Sequence, residues 1–110
     1  MEVWLPFLQQ IADSADEIAL RYFRRHDLRV DTKSNMTPVS EADLAIESAA
    51  RRLAAARHPE LGMLGEEEGA TGSTSERLIL DPIDATRNFV RGIPVFATLI
   101  AVEIEGEIVA

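Results

Sequence analysis

The stretch Leu78-Ile79-Leu80-Asp81-Pro82-Ile83-Asp84-Ala85-Thr86 decides how this chain is read. An apolar, strand-like run delivers two carboxylates, three residues apart, into a sharp turn. Pro82 fixes its own φ and has no N–H to donate, so the strand is expected to stop there. Asp81 then marks the carboxyl end of the strand, and Asp84 and Thr86 fall where a helical turn would start. Two carboxylates held this close repel unless a cation lies between them. Oxygen-only donors favour a hard ion, Mg²⁺ before Zn²⁺. The competing reading is that Asp84 or Thr86 simply caps a helix, although a cap needs only one such side chain.

Upstream, Gly65-Glu66-Glu67-Glu68-Gly69 follows the short apolar run Gly62-Met63-Leu64. Glycines bracketing three acids suggest a tight loop at a strand end. Alone, such a loop reads as a solvated surface. Beside the Asp81/Asp84 turn it becomes the source of a third carboxylate for a two-metal site.

Around these motifs the periodicity is informative. From residue 6 to about 25, Phe7, Leu8, Ile11, Ala15, Ile18, Ala19, Tyr22 and Phe23 recur at helical spacing, with Pro6 suited to the first turn. Residues 28–33 suggest a short strand and residues 34–38 a loop. A second helix is expected from about 41 to 57, with Leu44, Ala45, Ala49, Leu53 and Ala56 toward the core; Pro59 and Gly62 end it. Ser40 and Asp43 have capping-box spacing. Residues 69–75, rich in Gly, Ser and Thr, are expected to be a flexible connection. Residues 95–103 and 107–110 read as a β-hairpin turning at Glu105-Gly106. No repeat or domain boundary is evident.

The chain of 110 residues allows one domain with a real core. Its net charge of −8 argues against nucleic-acid binding, which needs a basic surface. Bound divalent ions would offset part of that charge. Without Cys there is no disulfide, zinc-thiolate site or thiol nucleophile. No apolar run approaches the roughly 20 residues of a membrane span. The N-terminus has no basic region ahead of an apolar core, so a cytoplasmic location without membrane attachment is expected. His26 and His58 are placed at helix ends, where imidazole complements the dipole.

Gly65-Glu66-Glu67 followed by Asp81-Pro82-Ile83-Asp84-Ala85-Thr86 resembles the inositol monophosphatase family of Mg²⁺-dependent phosphatases. Lys33 and Thr37-Pro38-Val39-Ser40-Glu41-Ala42-Asp43 match the family's upstream pattern, and the resemblance covers essentially the whole chain. Residues 29–33 and 88–101 look most like the histidinol-phosphate phosphatase branch of actinobacteria. The resemblance implies an α+β, layered sugar-phosphatase-like fold, of which residues 1–110 form the N-terminal part: two helices packed on a mostly antiparallel sheet. It implies that Glu66, Asp81, Asp84 and the backbone carbonyl of Ile83 hold Mg²⁺. It also implies that Asp43 and Thr86 orient the attacking water, and that Ala85 and Thr86 offer backbone N–H groups to the phosphate. Glu67 and Lys33 would lie in the layer behind these ligands, and Glu68 in solvent.

Two departures from the family pattern stand out. Ala85 replaces the family's Gly, and if the turn is left-handed the substitution costs roughly 1–2 kcal/mol. Family members also run much longer and carry a further metal-binding Asp in their C-terminal half. The expected activity is hydrolysis of a small phosphate ester, histidinol phosphate in histidine biosynthesis. Inositol 1-phosphate is the alternative substrate and a bisphosphorylated nucleotide the third. A catalytically inactive remnant that binds metal or another chain is the alternative from a different class. A homo-oligomer is expected, since family members commonly form dimers and an open final strand favours pairing.

Overall fold

Helix α1, Leu5–Tyr22, forms where the apolar stripe predicts it, with Pro6 in its first turn and Phe7, Ile11, Ala15 and Ala19 buried at four-residue intervals. The computed structural model describes residues 3–33 and 38–110. The loop expected ahead of Pro38 therefore lies, in residues 34–37, outside the described residues. Helix α1 ends earlier than the periodicity suggests, because Phe23 turns extended and Arg24 is left-handed at φ 62°. His26 thus lies beyond the helix end rather than in it.

Strand β1, Val30–Thr32, pairs antiparallel with β2, Pro38–Ser40, and leads directly into helix α2, Glu41–Arg57. Ser40 and Asp43 form the full capping box at its start. The buried side of α2 differs from the expected one. Ala42, Ile46, Ala49, Ala50 and Ala54 are buried, whereas Leu44 and Ala56 face solvent. The helix packs against both α1 and the sheet, so alanines serve the close approaches. Its polar residues Asp43 and Glu47 turn inward because they find partners there.

Among the described residues a five-stranded sheet has the order β4-β3-β5-β6-β7. Its strands are β3 (Gly62–Gly65), β4 (Gly69–Thr71), β5 (Glu76–Asp84), β6 (Ala97–Ile104) and β7 (Glu107–Ile108), with the short helix α3 (Thr86–Val90) between β5 and β6. The pairing is antiparallel throughout except between β3 and β5, which run parallel. The expected pair of long helices on a mostly antiparallel sheet is therefore what the chain forms.

Two expectations need correction. The start of the supposed flexible connection, Gly69–Thr71, is strand β4, folded back on β3 by a left-handed Gly69. Ser73 then packs so closely on Gly62 that a Cβ there would meet the Ser73 carbonyl oxygen at 1.9 Å. Backbone pairing organises this segment, which is why side-chain patterning did not reveal it. Second, β5 does not stop at Pro82 but continues to Asp84. The ladder with β6 shifts register between Asp81 and Asp84, so the missing N–H of Pro82 falls in a bulge. The Pro82 carbonyl is still used, accepting from Thr98 Oγ1 at 2.7 Å.

Leu78, Leu80 and Val102 join Phe7 and Ile11 in one core. Ala15, Ala42, Ile46, Ile83 and Phe89 form a second core beneath the Asp81–Thr86 turn. Phe89 is fully buried and stacks with Phe23 and Phe96, an aromatic cluster that anchors α3. Burial of one such ring contributes roughly 1.5–3 kcal/mol. On the other face of the sheet, Leu64, Ile79 and Leu99 line an open apolar groove of about 380 Å³.

Candidate functional site

The parallel pairing of β3 with β5 brings the two acidic motifs together. Gly65 is in register with Leu80, and the Glu66 N–H donates to the Leu80 carbonyl at 3.2 Å. Glu66, just past the end of β3, and Asp81, at the bulge of β5, thereby emerge side by side although fifteen positions apart in sequence. With Asp84, Ala85 and Thr86 they border a cleft of about 320 Å³.

Asp81 is the most perturbed group of the site. Burial pushes its carboxyl up to about 7, with further contributions from the charge of Glu66, a hydrogen bond shared with Glu66, and the charges of Asp84 and Asp43. Near pH 7 this carboxyl is thus only about half ionised, where an exposed aspartate is fully so. Glu67 is also raised, mainly by burial; Lys33 opposes that shift, and the charges of Asp43 and Glu66 add to it. Lys33 Nζ lies 3.4 Å from the Glu67 carboxylate and 3.7 Å from that of Glu66. Lys33, just beyond β1, is thus a built-in counter-ion for the acidic loop. Glu68, expected in solvent, is half exposed but pairs with Arg51 at 3.0 Å.

Asp43 serves two structures with two oxygens. Its Oδ2 accepts the Ser40 N–H at 2.9 Å, completing the helix cap. Its Oδ1 lies 3.1 Å from Thr86 Oγ1. Helix cap and site contact therefore coexist in one side chain. Burial raises the Asp43 pKa, while hydrogen bonds from Ser40 and Thr86 pull it down. The Thr86 hydroxyl is also 2.9 Å from the Ile83 carbonyl oxygen, and its single proton can serve only one of these acceptors at a time.

Ala85 precedes α3 in the left-handed region, φ 67° and ψ 51°. The substitution of the family's Gly therefore falls at a position where Cβ is strained. Behind it, the Ala85 carbonyl accepts from Asn88 and Phe89, and Asn88 Nδ2 donates to the Val95 carbonyl at 2.9 Å. His58 packs on the rings of Trp4 and Phe7 at the end of α2, remote from this cleft in its contacts.

The donor set fits a hard divalent cation: carboxylates, a carbonyl and a hydroxyl, with repulsion in the cluster that a positive charge would relieve. Among the described residues, no three acidic or imidazole side chains already converge as a closed metal cage. Glu66 and Asp81 meet directly, and Asp84 flanks them. Lys33 occupies the Glu66 side of the cluster. Two residues that sequence reasoning missed, Glu47 and Arg51, are tucked beneath the Glu66 loop. A signal was present in their spacing, since Asp43, Glu47 and Arg51 recur every fourth residue on α2.

Fold and cleft together define an acidic, oxygen-lined site at the strand ends of a layered α+β domain. The chain belongs to the inositol monophosphatase family, whose model matches residues 1–110. It is 50% identical over 97 residues to the histidinol-phosphatase of Mycobacterium tuberculosis, covering 87% of this chain and 37% of that protein. It is 48% identical over 91 residues to the histidinol-phosphatase of Streptomyces coelicolor, covering 83% and 34% respectively. Among solved structures, the extragenic suppressor protein suhB of Bartonella henselae superposes with a TM-score of 0.90 at 34% identity, covering 97% of this chain and 43% of that one. The chain thus spans little more than a third of the length of these curated relatives. The expected fold class is confirmed by the solved relative. Among the described residues no helix is long and apolar enough to cross a membrane.

Proposed function

We propose that this chain forms the N-terminal part of a Mg²⁺-dependent phosphomonoesterase that acts on histidinol phosphate. The observation that carries the reading is the crowding of Asp81 by Glu66 and Asp84, directly beside the Thr86–Asp43 pair. The names of the Mycobacterium tuberculosis and Streptomyces coelicolor relatives support histidinol phosphate over inositol 1-phosphate.

In this reading Glu66, Asp81, Asp84 and the Ile83 carbonyl are the groups that would hold the divalent ions. When bound, the ions supply charge neutralisation and a water of lowered pKa. The chain's own residues do the rest. Thr86 Oγ1 accepts a hydrogen bond from the attacking water and passes its own proton to Asp43 Oδ1. Burial makes Asp43 a better base than an exposed aspartate. The Ala85 and Thr86 N–H groups face the phosphate as α3 begins. Lys33, itself paired with Glu67, holds the Glu66 carboxylate in place. Water attacks phosphorus in line, the bond to the leaving alkoxide breaks, and inorganic phosphate results.

A second reading, a metal-binding chain without turnover, is favoured by one observation. The apolar groove of Leu64, Ile79 and Leu99 lies open and borders Glu66 and Asp81. Phosphate release from histidinol phosphate by the purified chain, with and without Mg²⁺, separates the two. Inositol 1-phosphate serves as comparison substrate and Asp81→Asn as control. Mg²⁺-dependent release lost in the control supports the phosphatase. A folded chain that binds Mn²⁺ and releases no phosphate supports the second reading.

A further inference from the structure

We propose that Glu47 is a positioning residue: its buried carboxylate, held by Arg51, sets the loop of residues 66–68 so that Glu66 meets Asp81. The inference deepens the metal-site reading above and rests on it for its functional meaning.

Glu47 is fully buried in the middle of α2. Its Oε1 accepts the Glu67 N–H at 3.0 Å and its Oε2 accepts the Glu68 N–H at 2.8 Å. One carboxylate thus takes two successive backbone donors of the loop that presents Glu66. A buried anion with two such bonds still requires a counter-charge. Arg51 supplies it, one helical turn on, at 3.2 Å. The same guanidinium donates to the Gly69 carbonyl at 2.8 Å and to Thr71 Oγ1 at 2.8 Å, so it also holds the loop's exit into β4.

Gly65 completes the arrangement. A Cβ at that position would lie 2.3–2.5 Å from the carboxylate carbon and oxygens of Glu47. The glycine leaves space for the carboxylate to press against the chain immediately before Glu66. One stripe of α2 therefore fixes both parts of the site. Asp43 contacts Thr86 in the Asp81–Thr86 turn, and Glu47 and Arg51, four and eight residues on, hold the Glu66 loop. The helix rise sets the spacing between the two.

The test is amide hydrogen exchange and Mn²⁺-induced line broadening, read by NMR on the chain and on Glu47→Gln. In the unaltered chain, the Glu67 and Glu68 amides are expected to be protected, and Mn²⁺ should broaden residues 65–68 and 81–86 together. In Glu47→Gln, exchange at Glu67 and Glu68 should rise roughly tenfold or more, as expected for loss of a charged acceptor. Broadening should then persist at 81–86 and weaken at 65–68, while the Ser40 and Asp43 amides stay protected. If Glu47→Gln does not fold, Gly65→Ala gives the same readout, since it displaces the carboxylate without removing it. Glu67 and Glu68 amides that exchange at free-peptide rates in the unaltered chain would overturn the proposal. So would unchanged exchange and broadening in a folded Glu47→Gln or Gly65→Ala. If Mn²⁺ broadens neither segment of the unaltered chain, the metal-site reading fails, while the exchange data still decide whether Glu47 positions the loop.

Discussion

The Glu66 loop and the Asp81–Thr86 turn lie side by side, yet they are held by opposite means. The loop is pinned from below by a buried ion pair, with Glu47 taking its amides and Arg51 its carbonyl. The turn is held by its own backbone: a bulge at Pro82, a strained Ala85, and the Phe89 ring beneath. The difference teaches where each part is vulnerable. The loop depends on charge at a distance in sequence, and the turn on local conformation.

Removing the charge should cost most. Glu47→Ala leaves two backbone N–H groups without their acceptor and takes from Arg51 its fully buried carboxylate, leaving it the half-exposed Glu68. Breaking a buried pair in this way costs roughly 3–5 kcal/mol, to be read as a lower urea midpoint. A variant within 1 kcal/mol of the parent would mean the loop does not need its anchor. Gly65→Ala should cost less, about 1–3 kcal/mol, since the carboxylate end can shift while backbone contacts survive. On the turn the sign reverses. Ala85→Gly should stabilise by about 1 kcal/mol, because relief of left-handed strain exceeds the added chain entropy of glycine. A lower melting temperature in Ala85→Gly would show that the strain is not borne there.

The smallest effect expected is with pH, since the cleft is half open to water and screened. The folded pKa of Asp81, about 7, lies above its ordinary value of 3.8. The stability this shift contributes is complete below pH 3.8 and is lost as pH rises toward and through 7. Asp43 and Glu67, also raised, act in the same direction. In EDTA, the urea midpoint should therefore lose this contribution between pH 4 and 7, and Asp81→Asn should flatten the slope. An identical slope in the two proteins would show that Asp81 titrates normally.

What could be read in the sequence follows the same division. The Asp81–Thr86 turn was legible because proline, paired acids and threonine each carry a local conformational meaning. Asp43 was legible through its capping spacing and the family pattern, and the structure brings it to Thr86. The strand through Pro82 was not, because a bulge depends on the register of a neighbouring strand. Strand β4 was missed because Gly69–Thr71 pairs by backbone alone. Glu47 and Arg51 escaped notice because an acid four residues before an arginine is the ordinary mark of a solvated helix face. Only the location of the Glu66 loop reveals that this pair is buried.

The parallel registration of β3 on β5 has a consequence for insertions and deletions. Side chains alternate along a strand, so loss of one residue from Gly62–Gly65 would present Glu66 to the opposite side of the sheet. Substituting Glu66 removes one carboxylate; shortening the strand before it would also misdirect Glu67 and strip Glu47 of both amides. Length variation in this part of the chain should therefore be confined to exposed tips such as Thr74, where an added residue moves neither acid.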